Sequence, residues 1–192
     1  ALLDRDVVDL RDALTDTCVP NLRLLAGTGA TVGAANISHA EKQRLIRKLR
    51  SLSADVVIVD VGAGVNYNAL DFFELGSQRV VVTTPQVTAI HDAYAFLKGA
   101  VLRVLRRLAT TPPRLTLLEP ANASTEAEKV SDILARIAAS DPAFSETIIA
   151  TLRDFGAYMI GNQVADAGQA GVFHSVSKMV NEYIGIDVPI LG

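Results

Sequence analysis

The chain has no tryptophan, one cysteine, two methionines and three histidines among its 192 residues. The single cysteine, Cys18, excludes an intrachain disulfide and any CxxC metal or redox pair, in keeping with a reducing cytoplasm. His39, His91 and His174 are scattered and make no zinc-ligand spacing. No apolar run is long enough to span a bilayer and no signal-peptide pattern opens the sequence, so a soluble, cytoplasmic protein is expected. Aromatics are only 5% of the residues while 49% are apolar, so the core has to be built from Val, Ile and Leu. The net charge of −3 points to no particular partner. There is no direct nucleic-acid signature: Arg103, Arg106 and Arg107 cluster, but read most simply as the solvated basic end of a helix. The length suits one sizeable core, so 1–192 is taken as a single domain, with both ends reading as cut.

What is present is organised around residues 54–64. Val56-Val57-Ile58-Val59 is a β-branched run without polar alternation, the pattern of a strand buried on both faces at the centre of a parallel sheet. It ends on Asp60, and Gly62 and Gly64 follow, giving a sharp turn with room for a close approach. Ligands of open parallel sheets sit outside the carboxyl ends of the strands, where such an aspartate can hold a metal ion near a phosphate. The competing use of Asp60 is as the cap of the next helix.

The chain reads as alternating helices and strands. A short helix is expected over 4–14, a strand over 22–26, and a loop over 28–37 whose glycines lack the Lys-Ser/Thr of a phosphate-binding loop. Ser38-His39-Ala40-Glu41 has capping-box spacing and starts a helix that buries Leu45, Ile46, Leu49 and Leu52. After the Asp60 strand come a helix over 66–75, a buried strand over 79–83 and a long helix over 89–108 capped by Thr88. A helical insertion over about 110–154 follows, holding helices over 126–139, begun by a Thr125 to Glu128 capping box, and over 142–153, capped by Asp141. The sheet resumes over 157–162, followed by a helix over 168–183 stopped by Gly185 and a closing strand over 188–191.

If the strands are parallel, one edge gathers Asp60, the Thr83-Thr84 pair and Asn162-Gln163. An acid, hydroxyls and an amide pair suit a nucleotide: the acid for Mg²⁺, directly or through water, and the amide for the donor-acceptor edge of a purine. Ser38 with His39 and His174 with Ser175 are sequence neighbours, which do not face each other on a helix, so a Ser-His hydrolase is disfavoured. His91 and Asp92 read as polar surface or capping groups.

Two stretches, Val56-Val57-Ile58-Val59-Asp60-Val61-Gly62-Ala63-Gly64 and Val80-Val81-Val82-Thr83-Thr84-Pro85-Gln86-Val87-Thr88-Ala89-Ile90-His91-Asp92-Ala93-Tyr94, resemble the second half of the MinD/ParA-type ATPases with a deviant Walker A motif, closest to the MinD-like flagellar-number regulators of the FlhG (FleN) type. Gly161-Asn162-Gln163-Val164 is similar to that family's adenine-contacting strand end. The resemblance covers most of the chain outside 110–154. It implies a doubly wound, P-loop NTPase-like α/β fold and ATP and Mg²⁺ as cofactors of the full-length parent. It further implies Asp60 as catalytic and metal-binding residue, Gly62 and Gly64 as a γ-phosphate switch, and Asn162 at adenine, with Thr84 and Gln163 beside it. It implies a homodimer with a protein partner or activator, acting in flagellar placement, cell division or partitioning.

The family's Gly-Lys-rich loop, its strand and the strand after it have no counterpart here, and these would supply the phosphate cradle and the Mg²⁺-binding Thr. The expectation is therefore that the parent is an ATPase and that this stretch alone is inactive. The family's membrane-binding C-terminal amphipathic helix has no counterpart either, which leaves peripheral membrane association of the parent open. A different class of function is a non-catalytic interaction module that keeps a degenerate form of the fold and holds a partner through the insertion. An iron-sulfur or metallochaperone ATPase lacks its CxxC, and a Rossmann dehydrogenase its Gly-x-Gly-x-x-Gly.

Overall fold

Ser38 starts the helix its sequence implies. In the computed structural model, which describes residues 10–27, 38–120 and 128–191, its hydroxyl accepts from the Glu41 amide at 3.3 Å and the Glu41 carboxylate accepts from the Ser38 amide at 3.1 Å. The chain forms two compact units, Ala1–Asp60 and Val61–Gly192.

The first unit carries a 3-10 turn, Leu10–Ala13, a two-residue antiparallel pair of β1 (Thr15–Asp16) with β2 (Arg23–Leu24), and α1 (His39–Arg50). Two expectations are corrected here. The strand over 22–26 exists only as β2, paired antiparallel to β1 rather than in a parallel sheet. The run Val56-Val57-Ile58-Val59 forms no strand: Val56 is 76% and Ile58 88% exposed. A doubly buried strand needs a ladder partner on each edge and cover on each face, and no described strand pairs with this run. The helix over 4–14 is seen only as its closing 3-10 turn, its earlier residues and the 28–37 loop lying outside the described residues.

The second unit holds α2 (Tyr67–Leu75), β3 (Arg79–Thr83), α3 (Val87–Leu108), α4 (Pro112–Thr116), α5 (Val130–Ser140), α6 (Pro142–Arg153), β4 (Ala157–Gly161) and α7 (Ala167–Ile184). β3 and β4 pair in parallel from Arg79 against Ala157 to Thr83 against Gly161, and Ile190 adds a parallel bridge to Met159, where the closing strand was expected. The sheet buries one face. Val81, Thr83, Ala157 and Met159 are covered, while Val80 and Val82 on the opposite face are 43% and 60% exposed, so β3 is not the doubly buried strand its composition implied.

Helix α3 is the hub, with Leu97, Val101 and Leu105 fully buried and α2, α6 and α7 packed around it together with β3. An apolar 3.6-residue period over six turns suits that place. It begins at Val87 with Gln86 as an N-cap that makes no side-chain bond, two residues before the expected start, so Thr88 lies inside the first turn instead of capping it. The insertion is helical as expected, and Asp141 caps α6 by accepting from the Phe144 amide at 2.9 Å. α4 is an addition that two prolines at its N-terminus start rather than prevent. α5 begins at Val130, and Thr125 of the expected capping box lies outside the described residues. Gly185 ends α7 in the left-handed conformation at φ 83°.

Candidate functional site at the carboxyl edge of the sheet

The parallel register brings the ends of β3 and β4 side by side, so Thr84 and Asn162 leave the sheet together. The Asn162 amide extends the ladder by one bond, donating to the Thr83 carbonyl at 2.7 Å. Beyond it Gln163 takes a left-handed conformation (φ 57°) and its amide donates to Asn162 Oδ1 at 2.9 Å. Asn and its close relatives tolerate such local turns because the side chain replaces a backbone acceptor. Since a backbone N–H must meet an oxygen, the same bond settles which end of the Asn162 amide faces inward. Asn162 and Gln163 are exposed and Thr84 is half-buried, so this rim is open to a ligand.

Helix ends contribute to the rim. Thr83 Oγ1 donates to the Ala89 carbonyl at 3.0 Å, which seats the first turn of α3 beside the strand end. α7 follows β4 after a short loop, with Asp166 accepting from the Gln169 amide at 2.8 Å as its cap. α2 runs alongside α3 in the same direction: Leu70 lies against Gly99, Asp71 pairs with Arg103 at 2.8 Å and Glu74 pairs with Arg107. Of these helices, α3 and α7 begin at the carboxyl edge, where their amide ends favour negative charge, whereas α2 lies along the second half of α3.

Gly62 and Gly64 precede α2. Their φ values, 69° and 101°, lie in the range that disfavours other residues, and nothing stands within 4 Å of where a Cβ would be. Backbone conformation rather than crowding calls for glycine there. Asp60 closes the first unit and is exposed. The edge built within the second unit thus gathers Thr84, Asn162 and Gln163, and nothing among the described residues brings Gly62 or Gly64 against them.

At the opposite end of the sheet lies a charge network that the sequence reading took for a solvated helix end. Arg103 and Arg107 pair with Asp71 and Glu74, while Arg106 is exposed, because α2 lies alongside with its acids at the matching three- to four-residue spacing. Arg79 donates to the carbonyls of Phe155 and, at 3.1 Å, of Glu74. Burial pushes the Glu74 carboxyl above its ordinary value, opposed by Arg107 and Arg79, and burial lowers Arg79. Asp71 and Glu74 at i and i+3 facing Arg103 and Arg107 at i and i+4 was the available signal.

Elsewhere, His91 Nδ1 and Asp92 Oδ1 are 3.7 Å apart on an exposed helix start, and His174 and Ser175 are exposed. No group of three His, Cys, Asp or Glu side chains among the described residues could enclose a metal. Mg²⁺ needs only one or two carboxylates beside substrate phosphates, so a single carboxylate would be enough in number. The edge amides of Asn162 and Gln163 suit the base of a nucleotide, whereas the lysine-bearing phosphate cradle has no counterpart in the sequence. The residues present fit the base side of Mg-ATP and not its phosphate side. No helix among the described residues is long and apolar enough to cross a membrane.

No family model matches the chain, and no solved structure matches it. Among curated proteins it is 33% identical over 58 residues to a septum site-determining protein MinD of Chlorella vulgaris, covering 30% of this chain and 21% of that protein. It is 27% identical over 119 residues to the antiactivator FleN of Pseudomonas aeruginosa, covering 56% of this chain and 42% of that protein. The matches thus span about a fifth and about two fifths of these relatives' lengths. The chain is thus an α/β chain with a parallel strand pair, similar in part to a MinD and to a FleN protein.

Proposed function

We propose that this chain is the C-terminal portion of a MinD- or FlhG-like ATPase, a nucleotide-dependent dimerising switch that places flagella, the division site or other cargo. The observation that carries the reading is the convergence of Thr84, Asn162 and Gln163 on the carboxyl edge of a parallel strand pair, the place where such sheets take ligands. The partial likeness to a septum site-determining protein and to an antiactivator supports the same process class. In the parent, Asp60 would hold Mg²⁺, the Gly62 and Gly64 loop would respond to the γ-phosphate, and Asn162 would contact adenine. Mg²⁺, once bound, supplies charge neutralisation at the phosphates. A homodimer, a protein activator and peripheral membrane association belong to the parent in this reading, and the setting is the cytoplasm.

Isothermal titration of Mg-ATP into the full-length parent and its Asp60→Ala variant tests the reading, which expects Mg²⁺-dependent binding to be lost; unchanged binding counts against Asp60. For the present chain no tight ATP binding is expected, and sub-micromolar affinity would overturn the placement of the phosphate site.

The alternative, a non-catalytic interaction module, draws on a different observation: the exposed apolar face of β3 at Val80 and Val82. Partner capture that is indifferent to nucleotide, by a full-length protein lacking a Gly-Lys-rich loop, would favour it.

A further inference from the structure

Thr83 is one of only three polar residues buried among the described ones, at 4% exposure, and the function proposed above gives it no task. Its register neighbour on the covered face of β3 is Val81, and a valine at position 83 would fill nearly the same volume. A buried hydroxyl is costly unless bonded. This one donates to the Ala89 carbonyl, an acceptor inside the first turn of α3 that the helix itself already supplies with a donor. The bond therefore answers no unmet need of the helix; what it adds is a tether. The N-cap residue of α3, Gln86, makes no side-chain capping bond. The Thr83 carbonyl in turn receives the Asn162 amide at 2.7 Å.

We infer that Thr83 is a positioning residue: one side of it locks the start of α3 and the other holds the backbone of Asn162, so that the two flanks of the carboxyl-edge crevice keep a single spacing. The inference deepens the nucleotide reading and rests on it for its purpose, but the latch itself can be observed without nucleotide. Gly161 tightens the arrangement from below. A Cβ there would stand 2.5 Å from the Phe173 ring, so α7 closes directly onto the last residue of β4, next to Asn162.

The test is residue-resolved amide exchange on the chain, comparing it with Thr83→Val, which keeps shape, and Thr83→Ser, which keeps the hydroxyl. Thr83→Val is expected to speed exchange at Ile90 roughly five- to tenfold and at Asn162 by a smaller factor, with Val81 and Met159 unchanged, and Thr83→Ser to restore protection. No change at Ile90 and Asn162 overturns the inference. A rise of equal size at Val81 and Met159 also overturns it, by reducing Thr83 to a packing role. Should the valine variant fold poorly, the unaltered chain gives its own readout: a slowly exchanging Thr83 hydroxyl proton close to the first turn of α3 supports the latch, and its absence overturns it. Titration with Mg-ATP to millimolar concentration separates the two levels. Shifts at Asn162 and Gln163 that weaken in Thr83→Val support both; no shift in the unaltered chain counts against the nucleotide reading, and the exchange pattern alone then decides the latch.

Discussion

The Arg79 guanidinium donates to the backbone carbonyl of Phe155, a residue 76 positions further along the chain, and lies 4.8 Å from the centre of the Phe155 ring. It also donates to the Glu74 carbonyl at the end of α2, so one side chain ties together the three segments that set the β3–β4 register. Arg79→Ala should cost about 2–3 kcal/mol, the worth of hydrogen bonds from a charged donor plus the ring contact. Arg79→Lys should recover little, since a point charge cannot make two directed bonds and stack at once. Urea denaturation monitored by circular dichroism checks both, and a lysine variant as stable as the parent chain would refute the directed-bond account.

Glu74 makes stability depend on pH. Burial raises its carboxyl above the ordinary value of 4.5, with Arg107 and then Arg79 pulling it back. The native state then holds the proton more tightly than the unfolded chain. Its stabilising share is complete below the unfolded value and lost as pH rises through the folded one. Glu74→Gln should remove that downward slope, so the melting temperature of the variant gains on the wild type as pH rises from acid toward neutral. Arg107→Gln should carry the window higher. Parallel slopes for wild type and Glu74→Gln would dismiss the assignment.

Gly161 has no room for a side chain, the Phe173 ring standing 2.5 Å from a would-be Cβ. Gly161→Ala should destabilise the chain by about 1–3 kcal/mol through overpacking. In the same variant the backbone amide signals of Asn162 and Gln163 should move. A thermal melt and an amide spectrum report the two effects.

The two faces of the sheet should answer differently to substitution. Met159 is fully buried, and Met159→Ala should cost about 2–5 kcal/mol. Val82 is 60% exposed, and Val82→Ser should change the chain's stability by no more than about 0.5 kcal/mol. A large loss at Val82, measured by denaturant titration, would mean that the open face is covered in solution.

The residues that end and start helices were legible because capping is local. Ser38 with Glu41, Asp141 with Pro142, and Gly185 act where their sequence put them, whereas the cap expected at Thr88 falls to Gln86. The strand at 79–83 was legible from its β-branched composition and the one expected over 157–162 from its short apolar run, and their parallel pairing brings Thr84 and Asn162 together as expected for parallel strands. The run at Val56 to Val59 has the same composition and yet forms no strand, because composition measures the tendency to pair and not the presence of a partner. The charge network at Arg79 and the tether at Thr83 join residues far apart or on different elements, and no local pattern announces them.

By itself, then, the amino-acid order determined most of the helices, the caps at Ser38, Asp141 and Gly185, and the polar residues at the tips of two strands, since each depends on groups within four or five positions of one another. Only the tertiary structure decided which β-branched runs pair, which face of the sheet is covered and which charges are neutralised. Those outcomes depend on what packs alongside, and burial is a property of neighbours rather than of sequence.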